Sequence, residues 1–244
     1  MMKVAADPYA FPYQRELTPR NTALIVIDVQ IDFCDFGGYL DQKGFDISLT
    51  RTVIQPIKDL LTIARAKGFP IFHTREGHRS DLADLSEVKH WRSHRAGAEI
   101  GSEGPLGRIL VRGEPGWQIV PELTPLPGEP VIDKPGNGAF YATDLDLLLQ
   151  RIGVKNLVIC GLTTAVCVHS TLREASDRGY DILLLEDCCA ESDPRLHAAA
   201  IEMVKMEGGI FGTVGTSQAF ISTVSSLPDV KGQPSELNRY VALS

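Results

Sequence analysis

The 244-residue chain has no long apolar run, no basic run, no internal repeat and no low-complexity segment. No stretch approaches the roughly 20 apolar residues that a membrane-spanning helix needs, so a membrane is not an expected partner. Lysine and arginine number 24 against 31 aspartates and glutamates, for a formal net charge of -7. An acidic surface repels phosphate backbones, and nucleic acid is not an expected partner either. Cysteine is sparse, at five residues without repeated spacing. An odd, unpatterned set argues against a disulfide framework and for a reducing, cytoplasmic setting. Residues 1–20 lack the charged-then-apolar order of a secretion signal.

What is present fits one α/β domain, expected over residues 1–227 and followed by a polar tail, 228–244. Hydrophobic residues make up 43% and charged residues 23%. Thr22 to Val29 is a continuous β-branched and aliphatic run, the pattern of a strand buried on both faces. Phe69 to Thr74, Pro130 to Asp133, Asn156 to Gly161, Asp181 to Glu186 and Ile210 to Val214 read similarly. Helical patterns lie between them. Val53, Ile54, Ile57, Leu60, Leu61 and Ala64 keep one face apolar before Gly68. Asp144 to Ile152 follows a Thr143 cap, Val166 to Arg178 ends at Gly179, and a helix opened by Asp193-Pro194 closes at Gly208-Gly209. Six buried strands alternating with helices predict a three-layer α/β/α, Rossmann-like fold around a six-stranded parallel sheet. Residues 75–117 show no clear periodicity and read as a long connection of the kind that forms lids.

In such sheets the working crevice lies beyond the C-terminal strand ends. Three reactive side chains meet that test: Asp28 ends the first predicted strand, Lys134 follows the third, and Cys167 follows the fourth at a helix start. A helix N-terminus and a nearby ammonium both favour a thiolate. Asp28 can take the thiol proton and return it to a leaving amine, and backbone N–H groups before the helix can hold an oxyanion. Each residue also has an ordinary reading, as a small buried thiol, a turn-capping carboxylate and a solvated ammonium.

The segment Gly161-Leu162-Thr163-Thr164-Ala165-Val166-Cys167-Val168 resembles the nucleophile loop of the isochorismatase-like cysteine hydrolases. Ala23 to Gln30 with Asp32-Phe33, and Ile132-Asp133-Lys134-Pro135 with Phe140, resemble that family's other two motifs in order and spacing. From about Ala6 to Leu227 the chain resembles the biuret hydrolases of this family, through stretches such as Asp7-Pro8-Tyr9, Thr74 to Arg79, Arg112 to Trp117 and Leu185 to Cys189. The resemblance implies an Asp28, Lys134 and Cys167 triad, a thioester acyl-enzyme, an oxyanion hole at the N–H groups of Thr163 and Cys167, and a cis Leu162–Thr163 peptide. It also implies substrate contacts from Phe33, Lys134, Phe140, Thr164 and Glu207, no cofactor, and a homo-oligomer, often a tetramer. Biuret or triuret is the substrate it implies. Ureidoacrylate or nicotinamide is the alternative within the family, and a catalytically silent binding protein is the alternative outside it.

The chain departs from the pattern at two places. Ala165 stands where many relatives carry Asp or Asn. Glu207 stands where the biuret hydrolases carry Gln, and an ionised Glu only accepts hydrogen bonds, which favours a terminal NH2 group. Four histidines, His73, His78, His90 and His94, invite a metal reading. Asp41 to Thr50 holds no histidine, however, and no metal is expected. Arg75, Glu76, Arg79 and Asp81 read as a solvated charge run, or as a lid or subunit contact. Cys34 ranks below Cys167 as a nucleophile, and Cys160 reads as core.

Overall fold

A computed structural model of the chain describes residues 1–230. The expected tail therefore lies outside the described residues from 231 onward.

The strands are β1 (Thr22–Ile27), β2 (Ile71–Glu76), a short hairpin β3 (Glu103–Gly104) and β4 (Gly107–Arg108), β5 (Val131–Lys134), β6 (Asn156–Leu162), β7 (Asp181–Ala190) and β8 (Thr213–Gly215). Six of them form one sheet in the order β5-β2-β1-β6-β7-β8. Every pairing in that sheet is parallel. All six residues of β1 and all seven of β6 are buried. These are the strands covered on both faces, which is why their sequences are uninterrupted apolar runs. The chain order runs outward from β1 through β2 to β5, then returns to β6 and continues to β8. The reversal falls between β1 and β6, and a crevice opens there beyond the strand ends.

The helices are α1 (Ile31–Cys34), α2 (Tyr39–Gln42), α3 (Ile47–Arg51), α4 (Ile54–Ala66), α5 (Glu87–Arg95), α6 (Leu145–Arg151), α7 (His169–Asp177), α8 (Pro194–Gly209) and α9 (Ser217–Val224). In α4, Ile54, Ile57, Leu60, Leu61 and Ala64 are the buried stripe. Gly68 follows it at φ 73°, a left-handed position that glycine adopts without steric cost. Among the described residues no helix is long and apolar enough to cross a membrane.

Gly161 fixes how closely the two central strands approach. At φ 119° its backbone lies so near Ile27 that a Cβ would collide with the Ile27 carbonyl oxygen and stand 2.6 Å from its nitrogen. A side chain here would push β1, which leads to Asp28, away from β6, which leads to Cys167.

The region 75–117 differs from the expected irregular connection. It opens with the last two residues of β2 and contains α5 and the β3–β4 hairpin. In α5 only Ser93 is buried, so the helix carries no apolar stripe that could signal it. It is defined instead by its cap, the Ser86 side chain accepting from the Lys89 N–H at 3.3 Å. The nucleophile segment also starts differently: Thr164–Val168 forms a π-helical turn before α7 begins at His169. Such one-turn π segments recur at functional sites.

Candidate active site

Four strand ends converge on one buried cluster. Asp28 follows β1 and is fully buried at φ 48°. Glu76 and Lys134 are the last residues of β2 and β5, and Cys167 sits in the π turn after β6. Lys134 Nζ lies 2.8 Å from Asp28 Oδ2 and 3.2 Å from Glu76 Oε2. It also donates to the carbonyls of Gly136 and Asn137, each at 2.9 Å. Cys167 Sγ donates to Glu76 Oε2 at 3.0 Å. One oxygen each of Asp28 and Glu76 and the Cys167 sulfur all lie within 4.8 Å of one another.

The carboxylates are held from behind. Thr74 Oγ1 donates to Asp28 Oδ1 at 2.5 Å, and the Asp28 N–H donates to the Thr74 carbonyl at 3.2 Å. The buried amide of Gln30 accepts from the Glu76 N–H at 2.7 Å and donates to the Glu76 carbonyl at 2.9 Å. Each side chain is therefore aimed by the end of a strand and by a neighbour on the next.

The electrostatics divide the two carboxylates. Burial pushes Asp28 upward, the Lys134 ammonium opposes this, and the nearby Glu76 charge adds to the rise. Burial also disfavours ionised Glu76, but the ammonium groups of Lys134 and Lys89 outweigh it and hold that carboxyl at about 2. Burial weighs against a charged Lys134, yet Asp28, Cys167 and Glu76 keep it protonated well above the ordinary lysine range. Burial raises Cys167; Lys134 lowers it, and Glu76 and Asp28 raise it further, so the resting group is the thiol. Asp28 is thus the more receptive proton acceptor, and Glu76 stays an anion that orients the S–H bond.

The cluster opens into a cavity of about 630 Å³ lined by Phe33, Tyr39, Lys43, Glu76, Lys89, Thr163, Ala165 and Cys167, among others. The Phe33 and Tyr39 rings meet edge to face, 5.9 Å between centroids. Lys43 lies over the Tyr39 and Phe45 rings at 4.9 and 5.3 Å. Burial lowers its pKa, with Glu191 pulling the other way. The Leu162–Thr163 peptide is cis, as the resemblance implies. Thr163 directly precedes the π turn and lines the cavity with Cys167, and the Ala165 N–H donates to Glu191 Oε2 at 3.1 Å.

Three residues expected to touch substrate stand elsewhere. Phe140 is buried, stacked on Tyr180 with 6.0 Å between ring centroids, and does not line the cavity. Thr164 is fully buried, its hydroxyl 2.8 Å from His197 Nδ1. Glu207 is exposed at the C-terminal kink of α8, at φ 52°, and its side chain is not among the lining groups. The first two turn inward because their sides of the loop and the π turn face the core. The third follows a break in the helix that redirects it.

Glu76, expected in a solvated charge run or in a lid or subunit contact, is instead buried in the cluster. Arg79 and Asp81 do form an exposed pair at 3.0 Å, while Arg75 pairs with Asp133 and stacks on Trp117. The histidines disperse: His73 meets Glu129, His78 meets Asp84, and His90 and His94 share Glu99. Among the described residues, the one group of three metal-type ligands is Asp28, Glu76 and Cys167. The Lys134 ammonium already occupies the cation position between its two carboxylates. Cys34 is buried away from the cavity, its thiol pushed up to about 12 by burial, with Asp35 adding to the rise. Cys160 is core.

Comparison with known proteins places these features in context. The isochorismatase domain matches residues 22–219. The ureidoacrylate amidohydrolase RutB of Acinetobacter baylyi is 34% identical over 218 residues, covering 88% of each chain. A cysteine hydrolase from Pseudomonas syringae pv. phaseolicola superimposes with a TM-score of 0.75 at 26% identity, covering 88% of this chain and 97% of the other. The N-carbamoylsarcosine amidase of Thermoplasma acidophilum gives a TM-score of 0.62 at 26% identity, over 81% of this chain and 96% of the other.

Proposed function

Because the chain belongs to the isochorismatase family, matched over residues 22–219, we propose that it is a cysteine-dependent amidohydrolase that cleaves the terminal carbamoyl group of a small ureide and releases ammonia. The observation that carries this reading is the cluster itself: a nucleophilic sulfur, a proton-receptive carboxylate within 4.8 Å and an ammonium 2.8 Å from that carboxylate. Two of the similar proteins bear names of carbamoyl compounds, ureidoacrylate and N-carbamoylsarcosine.

In this mechanism the flat ureide enters against Phe33, with its carbonyl oxygen toward the Thr163 and Cys167 N–H groups. The Cys167 proton passes to Asp28 as the sulfur attacks the carbonyl carbon, and Lys134 offsets the thiolate charge. The tetrahedral adduct collapses by breaking the C–NH2 bond, and Asp28 returns its proton to the departing nitrogen, giving ammonia and an S-acyl enzyme. Asp28 then takes a proton from water. The hydroxide so formed attacks the acyl carbon, the C–S bond breaks, and the thiolate recovers a proton. The product is a carbamic acid.

In this reading the rest of the substrate presents an oxygen acceptor to Lys43, a half-buried cavity-lining ammonium that lies over two aromatic rings. A carboxylate, as in ureidoacrylate, does so with full charge and makes the stronger, charge-assisted bond. The RutB similarity favours the same choice. The distal carbonyl of biuret or triuret does so without charge, and the stretches from Asp7 to Cys189 that resemble biuret hydrolases support that version. Ammonia release from chelator-treated enzyme, offered ureidoacrylate, biuret, triuret and nicotinamide, tests the proposal. Release from any ureide supports the reaction, and the relative rates assign the substrate. Release from nicotinamide alone would overturn the ureide, and release from none would overturn the reaction.

A further inference from the structure

The helix α5 sends one cation into the cluster. Lys89 Nζ lies 2.7 Å from Glu76 Oε1 and donates to the Pro135 carbonyl at 2.7 Å. The other oxygen of the same carboxylate, Oε2, receives Cys167 Sγ and Lys134. A continuous line of contacts therefore joins this otherwise polar, shallowly seated helix to the nucleophile through one buried carboxylate.

With Cys167 a thiol, Asp28 and Glu76 bring two negative charges, and Lys134 and Lys89 bring two positive charges. Moving the thiol proton to Asp28 leaves the total at zero. Without Lys89 the same transfer occurs in a buried site that carries an uncompensated negative charge. The remaining titratable groups facing the cluster do not replace it. Tyr39 comes from α2, His78 and Asp84 pair with each other, Glu191 accepts from the Ala165 N–H, and Lys43 lies over its two rings. Among the described residues, only Lys134 and Lys89 make ion pairs with Glu76.

We propose that Lys89 is a positioning residue: seated by α5, it fixes and offsets the Glu76 carboxylate so that the Cys167 thiol can ionise at neutral pH. This rests on the reading of Cys167 as nucleophile. It adds a route by which α5, acting through the end of β2, sets the reactivity of the sulfur.

The test is the pH dependence of Cys167 alkylation by iodoacetamide, which needs no ureide, read by peptide mapping on the intact chain. Lys89→Met should slow labelling at pH 7 by about tenfold and shift the profile upward by about one pH unit, since one unit is a tenfold change in thiolate fraction. Lys89→Arg should restore most of the reactivity. Adding Glu76→Gln to Lys89→Met removes the charge that Lys89 offsets, and should recover labelling that Lys89→Met alone loses. A Lys89 that merely held the helix down would give no recovery in the double variant. If Lys89→Met does not fold, Lys89→Gln carries the same comparison. A folded variant with an unchanged profile overturns the proposal alone. A wild-type chain that leaves Cys167 unlabelled overturns the nucleophile reading with it.

Discussion

The strand-end cluster and the segment 77–117 above it are built on opposite principles. Asp28, Glu76, Lys134 and Cys167 are all buried, each fixed by a strand of the parallel sheet. Segment 77–117 holds one nine-residue helix with a single buried residue and a hairpin of two-residue strands. It is held by polar atoms and by a few core side chains, Ala98, Ile100, Ile109, Leu110 and Val111. Asp32 accepts from the Leu110 N–H at 3.1 Å, its own N–H donates to the Gly116 carbonyl at 2.7 Å, and Asp84 bridges His78 and Arg112. The contrast teaches where each part of the function resides. Chemistry needs positions held to a fraction of an ångström, which the sheet supplies. Segment 77–117 joins a cavity-lining helix that buries one residue to a core-packed stretch, Ala98 to Val111, so only α5 has little apolar area to hold it.

The largest expected break of this contrast lies in the cluster. Cys167→Ser should lower turnover by about 10⁴-fold or more with the melting temperature nearly unchanged, since the nucleophile acts as a unit with its base. Steady-state kinetics beside a thermal melt would show it. Lys134→Met should cost about 3–5 kcal/mol of stability, because two buried carboxylates lose their shared cation. Denaturant unfolding measures that, and a loss under about 1 kcal/mol would make the cluster as dispensable as a surface ion pair.

The acid limb of kcat/KM comes next. Asp28 must be ionised to accept the thiol proton, and burial raises it. Activity should therefore fail on acidification at a pH above the ordinary aspartate value of about 4. A limb at or below that value would remove Asp28 as the base.

Smaller effects belong to the cavity wall at Lys43 and to α5. Lys43→Met should raise KM for an acidic ureide by about tenfold, one charge-assisted hydrogen bond, while changing biuret or triuret less. Trp91→Ala, at a half-exposed position on α5, should alter stability by no more than about 0.5 kcal/mol. A larger loss would mean that α5 itself is packed through Trp91 and not merely held by its cap and ion pairs.

The same contrast explains what the sequence disclosed. The central strands β1 and β6 were legible because burial on both faces requires continuous apolar runs such as Thr22 to Val29, whereas the last strand lies at Thr213–Gly215, three residues beyond the expected start at Ile210. Asp28, Lys134 and Cys167 were legible because each is a reactive residue directly after such a run. Glu76 satisfies the same test, but β2 continues through the charged Arg75-Glu76 pair, and its charges mimic a loop. The helix α5 left no periodic signal, because it buries one serine. Phe140, Thr164 and Glu207 show that nearness to a motif in sequence does not set a side chain's direction. That direction depends on which side of a turn, or of a helix kink, faces the cavity.

The most direct test of the central claim is intact-mass and peptide mass spectrometry of enzyme acid-quenched during turnover of ureidoacrylate, biuret or triuret. The account predicts an acyl adduct on Cys167, carrying the substrate less ammonia, that is absent in Cys167→Ser. Turnover with no adduct on Cys167, or with the adduct on another residue, would contradict it.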